Sequence, residues 1–175
     1  MIALAFAAAL AGASETLPAL PEPCRLTVVA PWVSAGEGYT VQAITDGEDC
    51  AAASLMLALV SPAGRALREW QWSATVAVRR FYGVPGPTEM KAELEAWIAP
   101  AKGKPDRTSL LPVWPEGAST PEGFEPAETM TPPSWNGLRD ADLALFCFDD
   151  APGFQSCAVM DRDEAILDIG RRATR

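Results

Sequence analysis

The side chains in this sequence whose type and spacing suggest chemistry are four cysteines and a scatter of carboxylates, because the chain contains no histidine. That absence excludes Ser-His-Asp and Cys-His nucleophilic sites, imidazole-held zinc or haem, and histidine general bases. The serine patterns G-x-S-x-G and S-x-x-K are missing too, and so are the P-loop and the dinucleotide fingerprint G-x-G-x-x-G. An enzyme built on this chain would have to work with carboxylates alone. Asp149 with Asp150, and Asp161 with Asp163, Glu164 and Asp168, are the candidates for an acid/base pair of the glycosidase kind. Aspartate also favours turns for its own hydrogen bonding, and that explanation covers the same residues. A calcium loop at Asp161-Arg162-Asp163 lacks the third ligand and the glycine of the loop pattern. Asp46, Glu48 and Asp49 read as a solvated acidic turn.

The cysteines are Cys24, Cys50, Cys147 and Cys157, at separations of 26, 97 and 10. Neither half of a zinc knuckle is present, and a redox pair would need C-x-x-C at a helix start. An even count suits disulfides in an oxidising compartment, where three pairings are open. The local pairing, Cys24 with Cys50 and Cys147 with Cys157, is expected. In Phe146–Cys157 (FCFDDAPGFQSC) the cysteines flank a turn, and if Cys147 faces Cys157 then Leu145 faces Val159, which pairs apolar residues consistently. A disulfide closing so short a loop constrains the unfolded chain by roughly 3 kcal/mol in the entropy model.

Export fits this reading. Ile2–Leu10 is an apolar run of nine residues, far short of the ~20 needed to span a bilayer. Ala11-Gly12-Ala13 has the form signal peptidase accepts, although no Lys or Arg precedes the run. Residues 1–13 are therefore expected to be a signal peptide and 14–23 a Pro-containing leader, with a single domain over 24–175. The expected location is periplasmic or extracellular. Net charge is −9 and the composition 49% hydrophobic. Nucleic acid is a poor partner for such a chain, because phosphate binding needs clustered Lys and Arg, and the basic doublets are Arg79-Arg80 and Arg171-Arg172.

These groups must be positioned mainly by β structure. Strand patterns occur at Arg25–Ala30, Tyr39–Thr45 and Ser54–Val60, with a return from Ala66 to Val78 after the turn Ser61-Pro62-Ala63-Gly64. Arg68, Trp70 and Trp72 share one face of that return, and arginine beside aromatic residues is typical of binding surfaces. One amphipathic helix (about 88–98) carries Met90, Leu94, Trp97 and Ile98 on one stripe, with Thr88 as its expected cap. Eight of the sixteen prolines fall between Pro100 and Gly137, which predicts a long Pro-rich loop over 100–137. That loop keeps Trp114, Phe124 and Trp135, unlike a solvated linker, and long loops are usually functional. Asp142–Phe148, Ser156–Met160 and Ala165–Ile169 complete the strands.

The fold class expected is mainly β (all-β or α+β): an antiparallel sheet or sandwich of about seven or eight strands with one helix. The leading functional expectation is a non-catalytic envelope module, such as an inhibitor or adaptor, that binds a protein or glycan without a cofactor or metal. Its candidate binding residues are Arg68, Trp70, Trp72, Trp114, Phe124 and Trp135. A hydrolase using carboxylates alone, or a structural or assembly subunit, are the alternatives.

Overall fold

A computed structural model describes residues 23–103 and 106–174. The expected signal peptide and all of the leader except Pro23 lie outside the described residues. Two antiparallel four-stranded sheets form the body. The first is a meander, β1 (Leu26–Pro31), β2 (Thr40–Asp46), β3 (Ser54–Val60) and β4 (Ala66–Trp72). The second has the order β5 (Phe124–Pro126), β8 (Ile166–Ala173), β7 (Phe154–Met160) and β6 (Ala144–Ala151). Helix α1 (Pro87–Ile98) lies across β1 and β2, and helix α2 (Pro132–Ala141) precedes β6. Among the described residues, no helix is long and apolar enough to cross a membrane.

Both disulfides have the expected local pairing, Cys24–Cys50 and Cys147–Cys157. Cys147 lies directly opposite Cys157 and Leu145 opposite Val159. The hairpin closes through Pro152-Gly153, where Gly153 has φ 78°. Proline supplies the first φ and glycine the positive second one, as a type II turn requires.

The β6–β7 hairpin is a wall between two cores, which explains why Ala144–Phe148 is apolar without a break. Successive strand side chains point to opposite faces. Ala144, Phe146 and Phe148 pack with the meander and α1, around Leu55, Leu57, Leu59, Met90, Leu94 and Trp97. Leu145 and Cys147 face the other way, into a second core with Val159, Ile169, Leu111, Trp114, Phe124 and Trp135. The free edge of β6 is covered as well. Leu145 N–H donates to the Asp106 carbonyl at 3.0 Å, and the Leu145 carbonyl accepts from Ser34 Oγ at 3.2 Å and Trp32 Nε1 at 3.4 Å. An edge satisfied in this way is no template for aggregation.

Several local expectations need correction. The return strand stops at Trp72 and does not run to Val78. Thr75 N–H and its hydroxyl bond to the Ala53 and Cys50 carbonyls, which draws the chain off the sheet into 3-10 turns at Thr75–Ala77 and Arg79–Phe81. Helix α1 is capped by Gly86, with Pro87 in its first turn, so Thr88 is already helical. The proline-rich interval is not a continuous loop. It contains a 3-10 turn at Thr108–Leu110, strand β5 and the start of α2. Pro132 and Pro133 occupy the opening positions of α2, where a missing N–H costs nothing. Thr131 and Ser134 form a reciprocal capping box ahead of it. Asp142, expected to start a strand, is the left-handed C-cap of that helix at φ 50°.

Candidate binding groove

The six aromatic and basic candidates do not form one surface. Arg68, Trp70 and Trp72 lie on the face of β4 that crosses the second sheet. Arg68 pairs with Asp168 of β8, and its guanidinium sits 5.7 Å from the centre of the Trp70 ring. Trp70 packs on Phe148 at 4.8 Å, and Trp72 meets Trp97 edge-on at 5.7 Å. Both indoles are half-buried between α1 and β6. Trp114, Phe124 and Trp135 belong to the other core. Phe124 and Trp114 meet Trp135 edge-to-face at 5.0 and 6.2 Å, and all three are buried. In this structure they support a surface rather than present one.

What they support is a strap, residues 107–118. A proline-rich segment cannot satisfy its own main chain in a sheet, so its carbonyls need outside donors. Helix α2 supplies them. Arg139 Nε donates to the Leu111 carbonyl at 3.0 Å, Trp135 Nε1 to Pro112 at 2.8 Å, and Asn136 Nδ2 to Trp114 at 2.9 Å. Asn136 Oδ1 accepts from Trp114 N–H at 3.0 Å. At the strap's start, Thr108 Oγ1 donates to the Leu138 carbonyl and accepts from Leu143 N–H. Arg107 and Ser109 both bond to the Asp142 carboxylate. These bonds, Ser109's foremost, hold that carboxyl below its ordinary value.

With the strap fixed in this way, two apolar side chains face solvent, Leu110 at 70% and Val113 at 53% exposure. Beside them lies a groove of about 310 Å³, lined by Leu110, Leu111, Pro112, Phe124 and Leu145 and edged by Asp106, Glu122 and Arg172. Arg172 comes from β8 and bridges to Asp106 at 3.4 Å. Phe124, Leu110 and Leu111 were legible in the sequence as apolar residues of a proline-rich stretch. Leu145 and Arg172, which close the groove from distant strands, carried no local signal.

Of the carboxylates nominated for acid/base work, all but Asp163 are engaged by neighbours among the described residues, Asp168 through Arg68. Asp149 Oδ1 accepts from Gln155 Nε2 at 2.9 Å. Asp150 Oδ2 accepts from Ser156 Oγ at 2.5 Å and Arg171 at 3.0 Å, while its Oδ1 is buried without a partner among the described residues. Asp161 Oδ1 accepts from the N–H groups of Asp163 and Ala165, both at 2.8 Å, the turn role expected of aspartate. Glu164 pairs with Arg65 at 2.9 Å and accepts from the Tyr39 hydroxyl; that hydrogen bond raises the Tyr39 pKa. Among the described residues, no group of three or more His, Cys, Asp or Glu side chains is placed to hold a metal ion. Compared with known proteins, the chain matches no family model, no curated protein and no solved structure.

Proposed function

We propose that the protein is an exported, non-catalytic module of the cell envelope that binds a partner protein through the strap and its groove. The observation that carries this reading is the rigid display of Leu110 and Val113. A strap held at Leu111, Pro112 and Trp114 by α2 loses little entropy on binding, which is where preorganised loops gain affinity. Exposed apolar residues beside a concave apolar floor are the usual anchor geometry of a protein interface. Charge selects the partner. Glu116 lies on the strap and Glu122, Glu125 and Glu128 follow it, in a chain of net charge −9, so a basic surface on the partner is complementary. The two disulfides support an oxidising compartment. A glycan is the weaker fit, because all six tryptophans are buried or half-buried.

The test is a photo-crosslinking residue placed at Leu110 in the full chain and activated in the intact host envelope. One adduct is expected, identified by mass spectrometry as a protein with a basic surface, and lost on Val113→Asp or at high salt. Both positions are exposed, so stability should change by no more than ~0.5 kcal/mol. Equal crosslinking from a control position at Glu69, or an adduct indifferent to Val113→Asp, would overturn the proposal.

A further inference from the structure

A second concavity, of about 470 Å³, opens where the 3-10 turn Arg79–Phe81 approaches the β6–β7 hairpin. Arg79, Arg80, Asp149, Ala151, Gly153, Phe154 and Thr174 line it. Its charges are arranged unusually. Of the ten arginines among the described residues, eight pair with carboxylates, and Arg79 is one of the two that do not. Asp149 lines the same space, yet neither guanidinium is in ion-pair contact with it. The backbone that carries each charge is anchored in the core. Phe81 is fully buried against Trp97 at 5.2 Å, which fixes the turn carrying both arginines. Arg80 is tied to Glu93 of α1 at 3.5 Å.

The opposite wall is fixed as firmly. Trp97 Nε1 donates to the Asp149 carbonyl at 2.8 Å. The Asp149 carboxylate is oriented by a row of hydrogen bonds across three strands. Gln155 Nε2 donates to it at 2.9 Å, Arg172 Nη2 donates to Gln155 Oε1 at 2.8 Å, and Arg172 Nη1 bridges to Asp106 at 3.4 Å. Oδ1 of Asp149 is therefore used, and its second oxygen carries no hydrogen bond among the described residues.

We infer that this cleft is a binding site for a small zwitterion bearing a free ammonium and a free carboxylate, the chemistry of an amino acid or the ends of a short peptide. The carboxylate is received by Arg79, whose planar fork suits bidentate pairing, and the ammonium by Asp149. The volume lies within the range of small-molecule sites. Phe154 and Ala151 give the floor an apolar part for whatever lies between the two charges.

The experiment is NMR titration of the full-length, disulfide-bonded chain at low salt with glycine, glycylglycine, a longer oligoglycine, acetate, N-acetylglycinamide and inorganic phosphate. At least one zwitterion is expected to shift the amides of residues 79–80 and 149–154 saturably in the millimolar range, while the capped, uncharged compound does not. Which zwitterion binds tightest sets the charge separation the cleft accepts. Arg79→Gln, at an exposed position, should weaken that binding about tenfold or more. Asp149→Asn should abolish the preference for the zwitterion over acetate. Saturation by no zwitterion, equal shifts with N-acetylglycinamide, tighter binding of phosphate, or binding unchanged in Arg79→Gln would each overturn the inference.

Discussion

Removing the two disulfides one at a time tests whether they act by constraining the unfolded chain. All four sulfurs are buried, each residue at no more than 3% exposure. The double substitutions Cys24→Ala/Cys50→Ala and Cys147→Ala/Cys157→Ala thus delete the same atoms from equally closed sites. What differs is loop length, 26 against 10 residues. In the chain-entropy model, loops of these lengths are worth about 3.5 and 2.7 kcal/mol, a difference of about 0.8 kcal/mol in favour of the longer loop. Urea denaturation of both variants, with the remaining disulfide intact, measures that difference directly. The Cys24/Cys50 variant should be the less stable of the two, with slopes rising in both. The reverse order would refute the reasoning. It would mean that Cys147–Cys157 contributes through the folded state, by holding the register of the wall between the two cores.

Gly170→Ala should destabilise the protein by more than about 2 kcal/mol, because this residue has φ 121° and an added Cβ would lie 2.2 Å from the Glu125 carbonyl oxygen; thermal melts would show it, and amide exchange should locate the damage at the β5–β8 pairing. Stability should fall in acid partly through Asp142, whose pKa is depressed below 3.8 by Ser109 and Arg107. A lowered folded-state pKa stabilises above the ordinary value and is lost as pH falls through the folded one, so Asp142→Asn should flatten the stability profile below about pH 4 in urea titrations. Tyr39 works at the other end. Its pKa is raised above 10.0 by the Glu164 hydrogen bond, so its contribution is complete below that pH and lost as the phenol ionises; Tyr39→Phe should remove this alkaline limb.

Seven of the eight strands, the α1 stripe, the hairpin register and the disulfide pairing were legible because each rests on a strong local signal, whereas β5 was hidden in the proline-rich interval. Met90, Leu94, Trp97 and Ile98 repeat with helical period, and all four are buried. Helix α2 was hidden by its own start. Pro132 and Pro133 read as breakers, whereas in a first helical turn they are favourable. Trp135 is its one fully buried residue, which is too little to show a period. The candidate groove was legible only in part. The segment bearing Leu110, Phe124 and Trp114 stood out by being proline-rich yet aromatic. That α2 would bury Trp135 and donate to the strap carbonyls is a tertiary fact, and no spacing encodes it. Thr88 lost the capping position because Gly86 and Pro87 already satisfy the geometry of the helix entrance.

The placement of Phe148 has a consequence for synthesis. The meander and α1 are complete by Ile98, and both their cysteines have been made by then. Trp70, Trp72 and Trp97 nevertheless close around Phe148, a residue that follows fifty positions after α1 ends. A chain emerging from the N-terminus therefore lacks the phenyl ring that closes over these three indoles until the β6–β7 hairpin arrives. The nascent first half thus exposes an apolar face that the finished molecule buries under Phe146 and Phe148.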